Sequence, residues 1–302
     1  MILSRRDFLN ACKASSVALG LSALNIINLQ ELLANPNAPT ILWLQGSSCT
    51  GCTVSFLNYV SPSEPVDVAD LLINDVNLAY HNTAMAAAAD SGIEALDAAY
   101  AKGGYILAVE GGVPTAFDGY ACIAWSRDGK DVTFLNAVRT LAARASIILS
   151  IGTCASFGGV SAAPPNPTAV RPVRSAVGKK PAINIPGCPP HPDWIVWTIA
   201  NLLLGTVGSL DSNRRPRRLY SRSVHALCPR REAREASTYG QDGMCLEELM
   251  CAGPGTHANC PTIGWNNQSN WCVDANAPCI GCTEPVFPRY TLRGFGESAL
   301  ED

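Results

Sequence analysis

The sequence predicts an α/β fold: a doubly wound parallel sheet, followed by a smaller segment that is mostly irregular. Three observations predict it. Short apolar runs alternate with helical patterns from Thr40 to about Leu204. Near residue 211 the composition turns to Arg, Gly, Pro, Asn and Cys. All but one of the thirteen cysteines lie beyond the carboxyl ends of predicted strands or in that second segment.

The elements follow in order. Thr40–Leu44, Val76–Tyr80, Tyr105–Val109, Ser146–Ile151 and Ala182–Ile185 read as strands by their length and β-branched content. Val54–Val60, Thr83–Ala101, Val132–Arg144 and Trp194–Leu204 read as helices between them. Strand and helix in turn imply a parallel sheet covered on both faces, here of the flavodoxin-like kind. Residues 40–210 would form this domain and 211–302 a second one. In the second, only Leu246–Met250 has clear helical periodicity. So irregular a segment does not hold together easily by burial alone, and bound metal would staple it.

At 302 residues the chain has room for two domains, and 47% hydrophobic with 16% charged residues is ordinary globular composition. A net charge of −3 argues against a nucleic-acid partner. At the N-terminus, Ser4-Arg5-Arg6-Asp7-Phe8-Leu9 precedes an apolar stretch from Ala11 to about Leu33. This is the order of a twin-arginine export signal, read over residues 1–34, and it predicts a periplasmic protein. The cut is left open, since Leu32-Leu33-Ala34 is a poor small-x-small site. No apolar run of about 20 residues follows, so no C-terminal membrane anchor is expected.

The cysteines carry the chemistry. Cys49 and Cys52 form a C-x-x-C after the first strand; Cys122 leaves the third, Cys154 follows the fourth and Cys188 the fifth. Open α/β sheets place their ligands at this edge. Counted in fours, Cys49, Cys52, Cys122 and Cys154 make one set. His225, Cys228, Cys245 and Cys251 make a second, and Cys260, Cys272, Cys279 and Cys282 a third. Thiolates at such spacings, with Cys-Pro steps at 228 and 260, suit iron–sulfur clusters and point to electron transfer. His225, three residues before a Cys-Pro, is read as a ligand that raises its cluster's potential. Cys188 is left over, and His191 in the same loop is a bystander or a proton-handling group. The arginines from 214 to 234 are a solvated surface or a dock for an acidic electron partner. Disulfides and zinc are the competing uses of so many thiols.

These motifs together resemble the small subunit of a [NiFe] hydrogenase. The matching stretches are R-R-D-F-L, C-T-G-C at 49–52, V-E-G-G-V-P-T at 109–115, I-G-T-C-A-S-F-G-G at 151–159, P-G-C-P-P-H-P at 186–192, S-V-H-A-L-C-P at 223–229, N-C-P at 259–261 and P-C-I-G-C-T-E-P at 278–285. The resemblance implies three [4Fe–4S] clusters. The proximal one would sit on Cys49, Cys52, Cys122 and Cys154, the medial on Cys260, Cys272, Cys279 and Cys282, and the distal on His225, Cys228, Cys245 and Cys251. It also implies a large subunit carrying the nickel–iron site, and a redox partner such as a periplasmic multihaem cytochrome or a membrane cytochrome subunit. Many members have proline where this chain has Cys272; a medial [3Fe–4S] cluster is expected if Cys272 does not bind. That departure is similar to the selenium-containing branch. The proximal stretch lacks the extra cysteines of oxygen-tolerant members. Two rivals share part of the pattern: the single-cluster subunit of NADH–quinone oxidoreductases, and a disulfide-stapled periplasmic binding protein.

Overall fold

A computed structural model describes residues 39–63, 65–178 and 180–288. The export signal, and whatever follows Pro288, lie outside the described residues. All five expected strands form, as β1 (Thr40–Gln45), β2 (Asn77–His81), β3 (Ile106–Glu110), β6 (Ile147–Ile151) and β7 (Ala182–Ile185). They pair in parallel in the order β2-β1-β3-β6-β7, the flavodoxin-like arrangement.

Because both faces are covered, the central strands are apolar throughout rather than alternating. In β3 every residue is buried. Ile41, Trp43, Ile106 and Ala108 pack on one face; Leu42, Leu44, Leu107 and Val109 pack on the other. Each Ile, Leu or Val among them contributes roughly 1.5–3 kcal/mol on burial. The second face is covered by α2 (Ala89–Lys102) and α3 (Phe134–Arg144), and Thr133 caps α3 by accepting the Asn136 N–H at 3.2 Å. The first face is covered by α1 (Gly51–Leu57) and α5 (Pro192–Leu203), between which α4 (Gly152–Phe157) follows β6 in the chain.

The sequence reading missed a hairpin, β4 (Ile123–Arg127) with β5 (Lys130–Thr133). Its turn, Asp128-Gly129, has φ of 51° and 70°, and the Asp-Gly pair was the available signal. Strand therefore replaces the expected helix start at Val132.

The second region differs from expectation in how it is held. Its helices are single turns: Arg217–Tyr220, α6 (Val224–Leu227) and α7 (Cys260–Ile263), while the expected helix at Leu246–Met250 is a 3-10 turn over Glu247–Leu249. Yet Tyr220, Val224, Leu246, Ala258, Trp271 and Val273 join the core on the α5 face instead of forming a separate one. Trp194 of α5 is the rivet. It donates from Nε1 to Asn259 Oδ1 at 2.7 Å and meets Tyr220 and Trp265 edge-on. Buried Arg215 adds a polar clasp, bonding Asp211 at 2.7 Å and Glu284 at 2.8 Å.

Candidate metal centres and the joints between them

The first set gathers at the carboxyl edge of the sheet. Cys49 lies in the loop after β1, Cys52 in α1, Cys154 in α4 after β6, and Cys188 just after β7. Burial pushes the Cys52 thiol well above its ordinary range, and the fields of Glu110, Cys154, Cys49 and Cys188 push it further. Burial likewise pushes Cys188 up to about 11, with Cys154 and Cys49 adding to it. Room for the sulfurs comes from glycine. A Cβ on Gly152 (φ +84°) would stand 2.5 Å from Cys52 Sγ, and one on Gly159 (φ +51°) 3.0 Å from Cys154 Sγ.

The placement differs from the expected grouping: Cys188 lies beside Cys49, Cys52 and Cys154, and Cys122 does not. Cys122 lies well past the end of β3, where the chain has turned through Phe117–Gly119 to begin the hairpin. Its side chain packs against the core on the α2/α3 face, opposite Cys52, and burial alone accounts for its raised thiol. A signal was present in the sequence. I-G-T-C and I-P-G-C each place the thiol within a turn of its strand, whereas Cys122 follows a long loop.

The set Cys260, Cys272, Cys279 and Cys282 lines a cavity of about 350 Å³, walled also by Cys188, Trp265 and Trp271. Burial pushes Cys260 up to about 12 and Cys279 to about 11, and Cys282 well above its ordinary range. Cys272, Cys279 and Cys260 all act on Cys282. In the remaining set, ligand atoms of His225 and Cys245 lie within 4.8 Å of each other and of a Glu247 carboxylate oxygen. The fields of Cys251 and Cys245 reach Cys228, and Gly253 packs 3.4 Å from Cys251 Sγ when given a Cβ. Glu247, whose Oε2 stands 3.6 Å from His225 Nδ1, was missed by the sequence reading.

The sets adjoin. Cys188 lines the cavity of the 260–282 set, and the Cys279 N–H donates to Cys251 Sγ at 3.2 Å. A further tie, from Thr153 Oγ1 to the Cys282 carbonyl, fastens α4 to the same loop. The 260–282 set thus adjoins both the sheet-edge set and the His225 set.

The donor chemistry fits iron–sulfur clusters. All twelve described cysteines are free thiols, and eleven of them, with His225, are disposed in fours around glycines and a cavity. Buried neutral thiols become ligands by losing protons, so loading would release protons from these sites.

His191 is a strut. Its Nδ1 accepts the Asp193 N–H at 3.1 Å, so the ring proton is on Nε2, which donates to the Gly264 carbonyl at 2.7 Å. Burial lowers its pKa, consistent with a neutral ring. The arginine run divides. Arg214 bonds the Ala182 carbonyl and Arg230 bonds Asn276, while Arg217, Arg218, Arg222 and Arg231 are exposed.

Comparison with known proteins reflects the two regions. Residues 49–202 match the family of the NADH ubiquinone oxidoreductase 20 kDa subunit, and residues 220–292 match the C-terminal family of NiFe/NiFeSe hydrogenase small subunits. The periplasmic [NiFe] hydrogenase small subunit of Solidesulfovibrio fructosivorans is 38% identical, over 94% of this chain and 90% of its own length. The periplasmic [NiFeSe] hydrogenase small subunit of Desulfomicrobium baculatum is 36% identical, over 95% and 97%. Among solved structures, recombinant [NiFeSe] hydrogenase from Desulfovibrio vulgaris Hildenborough superposes with a TM-score of 0.78 at 38% identity, over 84% of this chain and 96% of that one.

Proposed function

The chain belongs to the small-subunit family of [NiFe] and [NiFeSe] hydrogenases, and on that premise we propose that it relays electrons along three iron–sulfur clusters in a single file. Its first region is shared with a respiratory oxidoreductase subunit, so the second region decides between hydrogenase and the single-cluster rival. The observation that carries the reading is the adjacency of three sets of four ligands: Cys188 lines the cavity of the 260–282 set, and the Cys279 N–H donates to Cys251 Sγ.

Cys49, Cys52, Cys154 and Cys188 would hold the proximal cluster. Cys260, Cys272, Cys279 and Cys282 would hold the medial one as [4Fe–4S], and His225, Cys228, Cys245 and Cys251 the distal one. When bound, such clusters supply one-electron carriers. The protein's own part is to fix their order and exclude water. Trp265 and Trp271 wall the medial cavity. The Cys279 N–H would stabilise thiolate on Cys251 of the neighbouring set, which favours the reduced state.

The sheet-edge set faces the large subunit, which carries the nickel–iron site. Beside it, Val54, Leu57 and Val60 expose apolar surface. Electrons leave near His225 to a redox partner such as a multihaem cytochrome, and the exposed arginines Arg217, Arg218, Arg222 and Arg231 suit an acidic surface there. Export by the twin-arginine route to the periplasm rests on Arg5 and Arg6. Among the described residues no helix is long and apolar enough to cross a membrane.

The test is to purify the complex anaerobically, count iron and assay hydrogen-dependent reduction of a viologen. About twelve irons per small subunit, with activity, is the expected result. An iron count near four would leave one tetrad and contradict the file of three.

A further inference from the structure

One buried group beside the sheet-edge thiols is a carboxyl. Glu110 ends β3 with no exposed surface, next to the point where β1 gives way to the cysteine loop. Four donors converge on it. Trp43 Nε1 reaches Oε2 at 3.1 Å and Thr53 Oγ1 reaches the same oxygen at 2.5 Å. Ser48 Oγ reaches Oε1 at 3.0 Å, and the Cys52 N–H reaches it at 3.1 Å.

Proton counting fixes its charge. The Trp43 and Cys52 N–H groups can only donate. His81 Nδ1 accepts the N–H groups of Thr83 and Ala84, both at 3.1 Å, so its ring proton is on Nε2 and faces Thr53 Oγ1 at 3.3 Å. Thr53 therefore gives its own proton to Glu110. Ser48 Oγ accepts the Thr50 N–H at 3.2 Å and likewise gives its proton to Glu110. Every acceptor site of the carboxyl is filled from outside, which leaves no place for a proton of its own. Among the described residues no lysine, arginine or histidine nitrogen is within 4.0 Å of it. It is an anion neutralised only by dipoles, hydrogen-bonded to the backbone of a thiol that the cluster would use.

We propose that Glu110 is a positioning residue with two effects: it moulds the Ser48–Thr53 loop to receive iron, and its fixed charge lowers the reduction potential of the cluster held there. Adding an electron beside a dehydrated anion is disfavoured, because dipoles damp its field less than bulk water would. The consequence is direction. The carrier nearest the large subunit is kept harder to reduce than its ligands alone would make it, so an electron arriving there passes on to the medial set. This rests on the reading that Cys49, Cys52, Cys154 and Cys188 form one tetrad.

The experiment uses the complete complex and follows the EPR signal that Cys188→Ser removes, titrated against potential. In Glu110→Gln the reduced-to-oxidised ratio at a fixed potential should rise about tenfold, ~59 mV for a one-electron couple. Ser48→Ala and Trp43→Phe each keep the charge and withdraw one donor, so both should move the ratio the other way. A loop with only a structural role would not give opposite signs. An unchanged potential in a fully loaded Glu110→Gln protein overturns the proposal. If that variant does not take up iron, an unchanged potential in the two donor variants overturns it instead, and a fall supports it. A signal that survives Cys188→Ser removes the tetrad, and the proposal with it.

Discussion

The two regions reach the same end, sets of thiols gathered in fours, by different means. In the sheet region the backbone does the placing: Cys154 and Cys188 follow β6 and β7, which are hydrogen-bonded neighbours, and Cys52 hangs from α1. The thiols there are ornaments on a frame that would stand without them. In the second region no helix among the described residues exceeds four residues, and the apolar side chains described there attach to the α5 face of the other region's core. The difference teaches which half needs its metal. A sheet organises its ligands before iron arrives; the second region and its ligands are organised together.

Stripping iron should break the comparison most openly. With a chelator under reducing conditions, amide exchange in residues 220–288 should rise to that of a largely open chain, while β1, β3 and β6 stay protected. Equal loss of protection in both regions would show that the sheet depends on its cluster as well.

The rivet between the regions comes next. Trp194→Ala removes a wholly buried indole, its bond to Asn259 and its contacts with Tyr220 and Trp265. A loss of about 3–5 kcal/mol is expected in denaturant unfolding, with the second region opening at lower denaturant than the sheet. One cooperative transition, merely shifted, would mean that the two regions share a single fate.

Acid probes the weak point of the sheet region. Burial pushes His81 down to about 4 from its ordinary 6.5, and the folded protein keeps it neutral. The unfolded chain takes up the proton first, so stability is whole above pH 6.5 and falls by ~3 kcal/mol as pH drops to about 4. His81→Gln should flatten that part of the stability–pH curve. A curve as steep as that of the unaltered protein would assign the acid sensitivity elsewhere.

Much of the frame was legible in the sequence, because parallel strands buried on both faces write themselves as short apolar runs. The edge where ligands collect followed from those runs, and so did the sets built on Cys260 and Cys228, whose spacing is local. Cys122 and Cys188 are the pair that sequence order does not tell apart, because which thiol neighbours Cys52 is decided across the sheet. Linear order says that both follow strands; only the turn at Phe117–Gly119 carries Cys122 to the other face. The hairpin was missed for a related reason: an exposed two-stranded ribbon has little apolar signal beyond its Asp-Gly turn. Glu247 and Glu110 could not be found by spacing at all, since each acts on a partner distant in sequence or defined by geometry.

The central claim is that the sheet-edge thiols close on Cys188. Cys188→Ser and Cys122→Ser, each purified anaerobically as the full complex and compared by iron content and EPR, test it directly. The account predicts loss of one cluster signal and of about four irons in the first variant, with the second unchanged in both. Loss of the signal in Cys122→Ser with retention in Cys188→Ser would contradict it.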